Sequence, residues 1–105
     1  MSKINVYEGN SAVLAWEVFN PDGTDAVLTS FTATLTVKQN KIDTSALVTK
    51  TGVISDNDIT FTILDTDNDL DKGSYYYEVT LESSTQKLTI AQDRYIVRES
   101  IVYVT

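Results

Sequence analysis

Between residues 74 and 81 the chain alternates without a break. Tyr75, Tyr77, Val79 and Leu81 fall on one side, and Ser74, Tyr76, Glu78 and Thr80 on the other. A period of two belongs to a half-buried β-strand, because successive side chains leave a pleated backbone on opposite faces. The apolar set is therefore expected to face a core, and the Lys72-Gly73 pair ahead of it reads as a turn. The same period recurs in Phe31, Ala33, Leu35 and Val37, whose intervening partners are three threonines and a lysine, and in Ile59, Phe61 and Ile63. It recurs again over residues 11–19, where the charge of Glu17 marks the wetter face. That places Leu14 and Trp16 in the core and leaves Val13, Ala15 and Phe19 facing out.

Turn signals separate these runs. Asn20-Pro21-Asp22-Gly23 is the strongest, since Pro suits the second position of a type I turn and Gly accepts the positive φ that follows. Residues 25–28 are expected to return beside the preceding strand. Residues 39–45 read as a polar loop, residues 46–50 as a weaker strand, and Val53-Ile54 as its continuation past Thr51-Gly52. Residues 55–58 and 65–71 read as loops, and Ser83-Ser84-Thr85 as a turn into a hairpin partner at residues 87–91. A bulge or kink is expected at Gln92-Asp93-Arg94, and Ile4-Asn5-Val6-Tyr7 is a short alternating piece at the start. No segment shows a 3.6-residue period. Short strands punctuated by turns every 8–12 residues predict an all-β sandwich or barrel, with residues 1–105 as one domain.

Composition narrows the chemistry. The net charge is −7, and eight basic residues are spread along the chain, so no basic face or tail is expected for nucleic acid or an anionic membrane. There is no histidine and no cysteine, which removes the commonest general base, the commonest metal ligand and any disulfide. The N-terminal residues lack the apolar stretch of a signal peptide, and no apolar run approaches membrane-spanning length. The acidic run holding Asp65, Asp67, Asp69 and Asp71 is the best candidate for a metal site. Counting from Asp67, Asp69 and Asp71 fall at EF-hand positions 3 and 5 and Glu78 at position 12, but Lys72 stands where the turn needs glycine, and strands are expected on both flanks. A solvated acidic loop is the expectation, with no calcium, no cofactor and no enzymatic pair of carboxylates.

Other residues suggest surfaces. Tyr76 points outward beside Glu78 and could join a sugar- or protein-binding patch. Val13, Ala15 and Phe19 form an apolar row of the kind that marks a partner surface, unless a neighbouring loop or the N-terminal strand covers them. Ile101, Val102, Tyr103 and Val104 are apolar on both faces and follow a polar break at residues 98–100. They are expected either to dock on another subunit by strand addition or to complete the domain's own last strand past a bulge.

The spacing Asp71-x-Gly73-x-Tyr75-x-Tyr77 resembles the tyrosine corner of immunoglobulin-like sandwiches. In that alignment Tyr75 is the corner, with its hydroxyl bonded to nearby backbone, and Tyr77 fills the place that antibodies give to cysteine. The order of elements is also similar to that of the small immunoglobulin-like domains of tailed-phage virion proteins, such as those at the N-terminus of upper baseplate proteins. The resemblance runs over residues 9–97, from the strand ending at Asn20-Pro21-Asp22-Gly23, through residues 27–35 and 59–63, to Leu70-x-x-Gly73-x-Tyr75-x-Tyr77. It implies an immunoglobulin-like antiparallel β-sandwich of seven to eight strands, structural roles for Tyr75, Tyr77, Gly73 and Trp16, and no enzyme. It further implies a virion module assembled in the host cytoplasm, in homo- or hetero-oligomeric contact with other tail, baseplate or capsid proteins. The alternative is an adhesion module for a host-surface carbohydrate.

Overall fold

The computed structural model describes residues 3–68 and 70–98. Every alternating run becomes a strand with its apolar set turned inward. The strands are β1 (Ile4–Tyr7), β2 (Ala12–Glu17), β3 (Thr32–Lys38), β4 (Val48–Thr51), β5 (Val53–Ser55), β6 (Asp58–Ile63), β7 (Gly73–Glu82) and β8 (Lys87–Arg98). They form two sheets, one ordered β1-β8-β7-β3-β4 and one ordered β2-β6-β5. The inner faces meet in one core: Leu35, Val37, Tyr77, Val79, Ala91, Tyr95 and Val97 from the larger sheet, and Ile59, Phe61 and Ile63 from the smaller. The protein is an all-β sandwich, in which polar and apolar faces segregate because each layer buries one side only.

The first departure from the sequence reading is at the N-terminus. β1 pairs with β8 in parallel, Ile4 opposite Tyr95 and Val6 opposite Val97, so the larger sheet is mixed rather than purely antiparallel. The other pairings are antiparallel. Val53-Ile54 does not simply continue the preceding strand. At Gly52 the chain leaves β4 in one sheet and enters β5 in the other. The irregularity in β8 lies at Ile90, between Thr89 opposite Thr80 and Ala91 opposite Val79, and residues 92–94 stay in regular register. Gly73 is the first residue of β7, paired with Val97, rather than part of a free turn. Residues 65–68 form a 3₁₀ turn where a loop is expected.

Trp16 and Leu14 are half-buried rather than enclosed, because β2 is an edge strand of the smaller sheet. The Trp16 ring meets Phe61 edge-on, with centroids 5.7 Å apart, and lies 6.0 Å from Tyr77, bridging the two sheets. The residue 20–23 turn closes as its sequence predicts. Gly23 N donates to the Asn20 carbonyl at 2.9 Å with φ +90°, a conformation that suits glycine. The Asp22 carboxylate accepts from the Thr24 hydroxyl at 2.6 Å and the Thr24 amide at 3.0 Å, and these bonds hold its pKa below the ordinary value.

At the head of β7, Tyr75 is 7% exposed and its hydroxyl donates to the Asp71 carbonyl at 2.7 Å. That bond ties the incoming loop to the start of the strand. Tyr75→Phe is expected to cost about 1 kcal/mol, the net worth of one such hydrogen bond. Tyr76→Phe, on the outer face, should leave stability unchanged within error. Urea melts of the two variants check this, and equal losses would refute the assigned faces.

Candidate functional site

Among the described residues no three acids converge to hold a metal ion. Asp67 has structural partners instead. One of its carboxylate oxygens accepts from Leu64 N at 2.8 Å and pairs with Lys50 Nζ at 2.9 Å, and the bond to Lys50 holds its pKa down. Asp65 accepts from the amide of Thr66, the next residue. Asp69 lies outside the described residues, as do Ile101, Val102, Tyr103 and Val104 of the assembly segment.

The outward apolar row on the smaller sheet is open. Val13 is 69% exposed and Phe19 51%, and Ala15 is exposed between them. Register adds a member that the sequence reading missed: Val53, 70% exposed, sits across Thr60 from Ala15. Asn57 was also missed. It is buried in the turn between β5 and β6, where its amide donates to the Val18 carbonyl at 3.2 Å, and its own carbonyl accepts from Val18 N at 2.9 Å. A short polar segment between two strands carries no sequence signal for such a cross-strand tie.

A shallow concavity on the smaller sheet is lined by Ala15, Trp16, Phe19 and Thr60, and a second concave feature lies on the outer face of the larger sheet. Because Tyr75 and Tyr77 turn inward, Tyr76 and Glu78 must turn outward, and antiparallel pairing sets their neighbours. Tyr76 stands between Lys38 on β3 and Arg94 on β8, and Glu78 between Thr36 and Gln92. Lys41, from the loop after β3, places its ammonium 5.5 Å from the Tyr76 ring centroid. With Asp93 these side chains line a recess of about 390 Å³. Three cations against two carboxylates give the recess a charge of +1 in a chain of −7. The fold gathers three of the eight cations around one tyrosine, a juxtaposition that their spread along the chain does not report. The outward Tyr76 was legible in the sequence. Its neighbours are set by strand pairing, which no local pattern reports.

Together these features define an all-β sandwich with an open apolar face and a recess of cations, carboxylates and an aromatic ring. No family model matches the chain, and a search of the curated proteins finds no similar one.

Proposed function

We propose that this chain is a non-enzymatic, immunoglobulin-like structural module of a phage virion, docking on tail, baseplate or capsid proteins. The observation that carries the reading is the Tyr75–Asp71 hydrogen bond at the entrance to β7, the position of a tyrosine corner. The strand order supports it as well. β8, β7 and β3 correspond to the G, F and C strands of such a sandwich with β4 added beside C, while β2, β6 and β5 correspond to B, E and D. The open row of Val13, Ala15, Val53 and Phe19 gives the module an apolar outer face, which suits a protein built to be packed against others. Proteomic analysis of purified particles tests the reading. The expected result is this chain present in stoichiometric copy number with a tail, baseplate or capsid protein. Its absence from particles, with abundance only in the soluble lysate, overturns the proposal.

A further inference from the structure

We propose that the recess around Tyr76 binds an acidic sugar, a pyranose that carries a carboxylate. This is independent of the virion reading, since every lining group belongs to this one chain. The first support is uncommitted charge. Lys50 pairs directly with Asp67, whereas among the described residues no direct ion pair joins Lys38, Lys41 or Arg94 to Glu78 or Asp93. Arg94 offers a planar fork suited to a carboxylate, and Lys38 flanks the same tyrosine from the opposite strand. Lys41 lies over the Tyr76 ring, which holds a third cation at the recess.

The second support is the mixture of groups. Glu78 is an acceptor for sugar hydroxyls, and the Thr36 hydroxyl beside it can both donate and accept, while the Asp93 carboxylate is held by Arg94 N at 2.7 Å. The Tyr76 ring supplies an apolar surface for the C–H face of a pyranose. A polyphosphate or nucleic acid would bring dense negative charge onto Glu78 and Asp93. An acidic peptide would supply carboxylates, but not the hydroxyls that Glu78 and Thr36 can engage. The volume of about 390 Å³ falls in the roughly 300–1,000 Å³ range of small-molecule sites.

The test is a backbone amide NMR titration of the full chain with a uronic acid disaccharide, alongside glucose and a polyglutamate peptide. Uronate is expected to shift amides around residues 36–41, 76–78 and 92–94, while glucose leaves them in place. Arg94→Ala should weaken binding about ten- to hundredfold, the loss carried by one charge-assisted hydrogen bond. Tyr76→Ala should weaken it about tenfold, and Val13→Ala, on the other sheet, should leave it unchanged. Urea melts confirm that each variant is folded. Silence at these amides, equal binding of glucose, tighter binding of polyglutamate or full affinity in Arg94→Ala each overturns the proposal. Particle composition does not enter this experiment, so either reading can fail without the other.

Discussion

Gly52→Ala is expected to lower stability by about 1–3 kcal/mol, the usual cost of forcing a methyl group into a packed core. Gly52 is where the chain crosses from β4 in the larger sheet to β5 in the smaller, and its amide donates to the Ala33 carbonyl at 2.9 Å. A Cβ built there would lie 2.9 Å from Phe61 Cε1, 3.0 Å from Phe61 Cζ and 3.0 Å from Ile59 Cγ2. Both side chains are fully buried and held by the core around them, so neither can swing aside at low cost. Against a total stability of about 5–15 kcal/mol for a domain of this length, such a loss is large. Urea denaturation checks it. Phe61→Leu removes the ring atoms nearest the new methyl, so its own cost should be smaller in the Gly52→Ala background than in the parent chain. An unchanged urea midpoint for Gly52→Ala would mean that the crossing does not press on Phe61.

Stability should also fall steeply in alkali. Tyr95 is 1% exposed, and burial pushes its phenol from the ordinary 10.0 up to about 12, with the Asp67 charge acting in the same direction. Tyr77 is raised by burial and then by Asp93, and Tyr75 by burial and then by Asp71. The folded state therefore holds these protons more tightly than the unfolded chain does. Their contribution is fully present below about pH 10, and it is lost as the pH rises toward the folded value of about 12. The expected result is a urea midpoint that does not respond to these tyrosines near neutrality and drops between those two pH values. Ultraviolet titration should resolve Tyr95 as a late-ionising member of the six tyrosines. If Tyr95 ionises near pH 10 while the protein stays folded, the burial argument fails. Tyr95→Phe should show a shallower alkaline decline than the parent chain.

Much of the architecture was legible from the chain itself. The alternations that contain Ala33, Leu35 and Val37, Ile59, Phe61 and Ile63, and Tyr75, Tyr77, Val79 and Leu81 identify buried strand faces. The Asn20-Pro21-Asp22-Gly23 turn and the role of Tyr75 were equally readable, because each rests on residues within five positions of one another. Pleat period and turn chemistry are local properties, so a sequence states them directly. Tertiary structure decided the rest. It set the parallel pairing of β1 with β8, the sheet crossing at Gly52, the bulge at Ile90 and the half-burial of Trp16 on an edge strand. It also brought Lys38, Lys41 and Arg94 to Tyr76 from separate segments of the chain. Each of these depends on which strand lies beside which, and in what register. That choice minimises exposed apolar surface over the whole molecule, and no single stretch of residues encodes it.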